Sequence, residues 1–178
     1  MKKNIEAEIR SLITQNQYKQ LFKFFKKEGK LLGEEKQISY YFSGKRDLRI
    51  QKTDSYAKIW LKKGQMHDDF REEVEIKIDI KDFEKTKKLF ESLGYKVEIK
   101  WIRVRNIFSW DGIKVMLDNT KGYGYIIELE KICQESKKEK TVSMLRAMMN
   151  LLKVVETKKE EFDKKFEYYK KNWRRLTK

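Results

Sequence analysis

Acidic and basic side chains recur at every second position in separated segments of this chain: Glu6-x-Glu8-x-Arg10, Arg71-x-Glu73-x-Glu75 and Glu128-x-Glu130. In an extended strand alternate residues share one face, so each segment aims its charges to one side. Charge gathered on one face calls for a polar cavity, because an ionised group taken out of water needs partners or a metal. The acids Glu6, Glu8, Glu73, Glu75, Asp118, Glu128 and Glu130 and the cations Arg10, Arg49, Lys58, Lys62, Arg71, Arg103 and Arg105 together suit a polyphosphate. Lys and Arg neutralise phosphate oxygens, Arg with two-pronged geometry, and carboxylates hold Mg²⁺ or Mn²⁺ through hard oxygen ligands. Any one pair is explained equally well as a cross-strand ion pair on a solvated surface. Repetition over many strands is what points to a site.

Other chemistries find no support. The only histidine, His67, lies in the polar stretch Gly64–Asp69, expected to be a loop, and offers neither a paired zinc site nor a nucleophile triad. No Gly-rich phosphate loop and no dinucleotide-binding glycine pattern occurs. The single Cys133 excludes an internal disulfide framework and reads as a small buried or half-buried side chain. Lys plus Arg number 43 against 28 Asp plus Glu, a net charge of +15 that implies an anionic partner. With no apolar leader after Met1-Lys2-Lys3 and no apolar run of membrane length, the chain is expected in the cytoplasm, without a membrane partner.

The elements that must carry these residues alternate strands with a few helices. Strands are expected at Ile5–Leu12, Lys36–Ser43, Leu48–Lys52, Tyr56–Lys63, Phe70–Asp79, Val97–Ser109, Ile113–Asp118 and Tyr125–Lys131. A helix is expected from about Asn16 to Glu28, with Tyr18, Leu21, Phe22 and Phe25 as its apolar stripe and Gly29 and Gly33 punctuating its end. A second runs from Asp82 to Leu93 and is closed by Gly94. Beyond residue 131 helices dominate. Ser143–Val155 should pack Leu145, Met148, Met149, Leu152 and Val155 on a sheet, and Lys158–Lys178 carries the stripe Phe162, Phe166, Tyr169 and Trp173. Such a stripe is more often core or subunit interface than a base-stacking surface. One domain over residues 1–178 is expected, with a strand-rich part to 131 and helices over 132–178.

In this order the segments resemble the CYTH superfamily, or triphosphate tunnel metalloenzymes, which includes class IV adenylyl cyclases, thiamine triphosphatases and inorganic triphosphatases. Glu6-x-Glu8-x-Arg10 resembles the Glu-x-Glu-x-Lys signature, and Gln37–Phe42 resembles Gln-x-Asp-x-Tyr-Phe. Leu48-Arg49-Ile50-Gln51 is similar to Leu-Arg-Ile-Arg, and Ile59–Gly64 to the Lys-bearing strand after it. Arg71-x-Glu73-x-Glu75, Arg103-x-Arg105-x-x-Phe108, and Leu117-Asp118 through Gly124 to Glu128-x-Glu130 follow in family order. The likeness covers roughly residues 4–131 strongly and the helical end weakly. Arg10 stands for the usual Lys, Ser39 for Asp and Gln51 for Arg, and the stretch Lys165–Tyr168 lacks the Ser-Tyr pair frequent near the family's end.

The resemblance implies an α+β fold, an antiparallel eight-stranded β-barrel tunnel with flanking helices and a helical C-terminal segment. By the same resemblance Arg49, Lys58, Lys62, Arg71, Arg103 and Arg105 bind a triphosphate. Glu6, Glu8, Glu75, Asp118, Glu128 and Glu130 hold or orient Mg²⁺ or Mn²⁺, and Glu6, Glu8, Arg10 and Glu73 serve catalysis. The expected activity is metal-dependent hydrolysis of inorganic tripolyphosphate, a nucleoside triphosphate or thiamine triphosphate. A class IV adenylyl cyclase shares the site but adds a nucleoside pocket, with Tyr40, Trp60 or Phe108 as candidate walls. A non-catalytic polyanion- or RNA-binding protein, using the basic helix Lys158–Lys178, is the reading from another class, and a homodimer through the aromatic stripe is a further expectation.

Overall fold

The computed structural model describes residues 4–62 and 73–178. Eight strands form one antiparallel sheet: β1 (Asn4–Ile13), β2 (Lys30–Phe42), β3 (Asp47–Lys52), β4 (Ala57–Lys62), β5 (Glu73–Ile78), β6 (Val97–Trp110), β7 (Ile113–Thr120) and β8 (Gly124–Gln134). Four α-helices accompany it: α1 (Gln15–Glu28), α2 (Phe83–Ser92), α3 (Lys138–Leu151) and α4 (Lys159–Leu176). The hydrogen-bonded order is β1-β8-β7-β6-β2-β3-β4-β5. The eight-stranded antiparallel α+β architecture is the one the family resemblance implies, but β1 and β5 are the two ends of the sheet, and no pairing among the described residues closes it into a barrel.

Two compact units divide the chain, one built from residues up to Glu34, Arg105–Asn119 and Gly124–Phe162, the other from Glu35–Val104, Thr120–Tyr123 and Asp163–Lys178. In the first, alternation sorts β1 cleanly. Ala7, Ile9 and Ser11 are buried while Glu6, Glu8 and Arg10 take the other face. Helix α3 packs on β1 and β8, and α1 on β8, so Leu145, Met148, Met149, Leu21 and Phe25 are buried together with Ile127 and Leu129. Helix α1 starts at a capping box, the Gln17 amide donating to Thr14 Oγ1 at 3.2 Å and the Thr14 amide to Gln17 Oε1 at 2.9 Å.

In the second unit α2 covers β3, with Phe42, Ile50, Ala57 and Phe83 at the centre of the core. Side chains alternate along β4: Ile59 joins that core, and Lys58 and Trp60 lie on the other face. Helix α4 lays Phe166 and Tyr169 against Trp101 and Tyr123, and the Tyr169 hydroxyl donates to the carbonyls of Lys100 at 2.9 Å and Lys121 at 3.3 Å. The stripe Phe162, Phe166 and Tyr169 is therefore buried within this chain. Trp173, the fourth residue of the stripe, is half-buried.

Three boundaries depart from expectation. Strand β2 begins at Lys30, so Gly33 lies inside it instead of ending α1. Helix α3 begins at Lys138 and stops at Leu151, not Val155. It ends because the Lys153 N–H bonds to the Asn150 carbonyl and the Val154 N–H to the Met149 carbonyl, closing the turn with Lys153 at φ 57°. That turn carries Val155 into solvent, 85 % exposed, so it does not pack on the sheet. Helix α2 closes in the same way, but with Gly94 at φ 91°, as anticipated.

Candidate active site

Residues facing each other across an antiparallel ladder point to the same side, so the β1–β8 register assembles the first polar cluster. Glu8 lies opposite Glu130 and Arg10 opposite Glu128, with Glu6 two positions along the same face. The Glu6 carboxyl is pushed up to about 8, first because it shares a hydrogen bond with Glu130, then by burial and by the repulsion of Glu130. Lys114, on β7, reaches both Glu130 oxygens at 3.1 and 3.2 Å. Arg10 sits 3.8 Å from Glu8 and lies over the Phe162 ring at 5.2 Å.

Arg105 occupies the middle of this cluster. It donates through Nε and Nη2 to the two oxygens of Asp118, at 2.8 and 2.7 Å, and through Nη2 to Glu128. Burial works against its charge, but Asp118 and Glu128 outweigh it and hold the guanidinium firmly protonated. Asp118 is 1 % exposed, which only such a partner makes tolerable. Two acids expected near a metal thus grip a cation expected near phosphate.

The second unit carries its own polar cluster. Asp47 holds Arg49 through Nε at 2.6 Å and Nη2 at 2.5 Å, and the guanidinium lies over the rings of Tyr41 and Trp60 at 4.1 and 5.3 Å. Lys58 bonds Glu75 at 2.6 Å and approaches the Trp60 ring at 4.2 Å. Arg103 donates to the side-chain oxygen of Gln37, which is buried with Ser39 and Gln51. Lys62 and Glu73 are opposed in the β4–β5 register, so Glu75 and Glu73 are brought to β4 as the Glu-x-Glu spacing implies. Arg71 and His67 lie outside the described residues.

Lys114 and Gln37 escaped the list of sequence candidates. Their signal was present in part: Lys114 shares the period of Met116 and Asp118, and Gln37 that of Ser39 and Tyr41. Two of the three candidate nucleoside walls are core residues instead, since Phe108 packs on Phe22 and Phe25 and Tyr40 stacks on Phe83. Trp60 remains on the polar face. Cys133 is a free, half-buried thiol.

Among the described residues no three acidic, histidine or cysteine side chains converge as a ready metal cage. The donor chemistry nevertheless fits a hard divalent cation. Glu6 and Glu130 are carboxyls close enough to share a proton, and a cation that replaces the proton relieves the same repulsion.

Fold and site together define a class. A model of the CYTH domain matches residues 4–166, and the chain belongs to that family. Over 97 residues it is 37 % identical to a protein of Methanocaldococcus jannaschii named "Putative adenylate cyclase MJ0240"; the match spans 53 % of this chain and about half, 52 %, of that curated relative. A conserved hypothetical protein from Pyrococcus furiosus shares the fold with a TM-score of 0.70 at 22 % identity, over 88 % of this chain and 93 % of its own. So does a protein from Hippeastrum named "Putative adenylyl cyclase" and described as having a dominant triphosphatase activity, with a TM-score of 0.63 at 18 % identity, over 85 % of this chain and 89 % of its own. No helix among the described residues is long and apolar enough to cross a membrane.

Proposed function

We propose that this CYTH protein is a divalent-metal-dependent triphosphatase acting on inorganic tripolyphosphate, a nucleoside triphosphate or thiamine triphosphate in the cytoplasm. The observation that carries this reading is the acidic sheet face on which Glu8 lies opposite Glu130, Glu6 stands two positions along, Lys114 reaches both Glu130 oxygens and Arg105 reaches Glu128. Carboxylates gathered on one face repel each other, and a divalent cation among them relieves that repulsion. When bound, Mg²⁺ or Mn²⁺ would supply charge neutralisation and activation of water, held by Glu6 and Glu130 with its remaining positions open to water and substrate oxygens.

The remaining assignments follow from side-chain chemistry. Arg105 anchors Asp118 and Glu128, which orient the acidic cluster, and Lys114 balances the charge of Glu130. In the second unit Arg49, Lys58 and Arg103 are the groups suited to phosphate oxygens. Their geometry is set by Asp47, Glu75 and Gln37, each a fixed contact that leaves the cation little orientational freedom to lose on binding.

Adenylyl cyclase activity is the second reading, favoured by the name of the Methanocaldococcus relative and by Trp60 on the polar face. Phosphorus NMR separates the two. With Mg²⁺ or Mn²⁺ and tripolyphosphate, ATP or thiamine triphosphate in turn, orthophosphate is the expected product, and Glu8→Ala lowers turnover at least a hundredfold, on the scale of losing an electrostatic catalytic group. Cyclic AMP with pyrophosphate would replace this reading by the cyclase. Binding without turnover would leave a polyanion-binding protein, and full activity in Glu8→Ala would refute the site.

A further inference from the structure

We propose that Gln37 is a positioning residue that aims Arg103 at a phosphate group, an inference that rests on the triphosphate reading above. Gln37 is 4 % exposed, and its amide is tied at both ends. The side-chain oxygen accepts from Arg103 Nε at 2.8 Å and Nη2 at 2.5 Å, and from Gln51 Nε2 at 3.4 Å. The nitrogen donates to Glu35 at 2.5 Å. This assigns the amide orientation, because the flipped arrangement would set an NH₂ group against two guanidinium N–H groups and Gln37's oxygen against a carboxylate.

The consequence for Arg103 is geometric. A planar guanidinium gripped along its Nε–Nη2 edge by one oxygen has its plane and direction set, with Nη1 on the far side of the fork. Glu35 polarises the amide from behind, since the Glu35–Gln37–Arg103 chain aligns a carboxylate, an amide dipole and a cation in favourable order. The Gln37–Gln51–Ser39 group is rigid for the same reason: Gln51 also donates to Ser39 Oγ at 3.2 Å, and all three side chains are buried. A neutral amide can do this without adding a second negative charge that would oppose an incoming phosphate. A carboxylate at 37 would hold Arg103 as well and repel the substrate.

A double-mutant cycle on tripolyphosphate tests it, reading KM and kcat with Mg²⁺ and Kd by calorimetry, alongside thermal melts. Gln37→Leu, close in size and free of hydrogen bonds, is expected to raise KM and Kd about tenfold with kcat within about twofold. Gln37→Leu added to Arg103→Ala should cost no further affinity, which a merely structural defect would not reproduce. Gln37→Glu, whose second oxygen would meet the Glu35 carboxylate, is expected to weaken binding and to lower the melting temperature. If Arg103→Ala loses affinity and Gln37→Leu does not, or if the two losses add, the positioning role is overturned and the triphosphate reading stands. If Arg103→Ala binds as the parent does, Arg103 holds no phosphate and the positioning role is overturned with that assignment. A parent protein that neither turns over nor binds tripolyphosphate overturns the triphosphate reading itself.

Discussion

Arg105 shows how far a residue's role depends on its neighbours. Its side chain is 15 % exposed and lies between Asp118 and Glu128, at 1 % and 12 %. Removing it strands two carboxylates, so Arg105→Ala should lower unfolding free energy by about 3–5 kcal/mol, read by urea denaturation. A loss under about 1 kcal/mol would contradict the anchoring role. Glu6 makes a pH prediction. Its folded pKa of about 8 lies above the ordinary 4.5, so the stability it contributes is full below about pH 4.5 and is lost as pH rises through 8. Melting in EDTA should therefore show a falling temperature across that window. Glu6→Gln should flatten the slope, and saturating Mg²⁺ should restore the loss. A parent profile without the slope would deny the shared proton.

At the scale of elements, strand periodicity and helix ends account for most of what is seen. The Glu-x-Glu segments of β1 and β8 became strands because Ala7, Ile9, Ile127 and Leu129 alternate with their charges and bury under α1 and α3. Helix ends were legible where glycine marked them, as at Gly94, and not where a lysine takes the left-handed conformation. At Lys153 the Schellman hydrogen bonds impose φ 57° on a residue with a Cβ. Lys153→Gly should therefore stabilise the protein by about 0.5–1 kcal/mol, measurable by thermal melting. Destabilisation would show that the Lys153 side chain contributes more than its backbone costs. A position where glycine is required is Gly122, at φ 73°, since an added Cβ would lie 2.5 Å from the Leu176 side chain and 2.6 Å from its carbonyl oxygen.

At the scale of the whole molecule the +15 charge sets a long-range field that favours polyanions before any contact forms. Raising NaCl from about 50 to about 500 mM should increase KM for tripolyphosphate roughly 3–10-fold with kcat less affected, since screening acts on approach more than on a bound complex. A salt-independent KM would assign recognition to short-range contacts alone. The charge does not lie in one element. Lys19, Lys23, Lys26 and Lys27 stand exposed on α1, and further lysines and arginines line α4, where Phe162, Phe166 and Tyr169 are core.

Composition, alternation and motif order determined the family, the eight strands, three of the helices to within a turn, and which face of β1 and β8 carries charge. They are local properties, written in runs of a few residues. What tertiary structure alone decided is which charges meet. Glu130 faces Glu8 across β1 and β8, first and last strands in the chain, and Arg105 of β6 reaches Asp118 and Glu128 on two later strands. Gln37 on β2 takes Arg103 on β6 because those strands are neighbours in the sheet, although the two residues are 66 positions apart in the chain. Periodicity names a face but carries no register between distant strands. Register comes from which apolar sets can be buried together, and the partners of each charge follow from it.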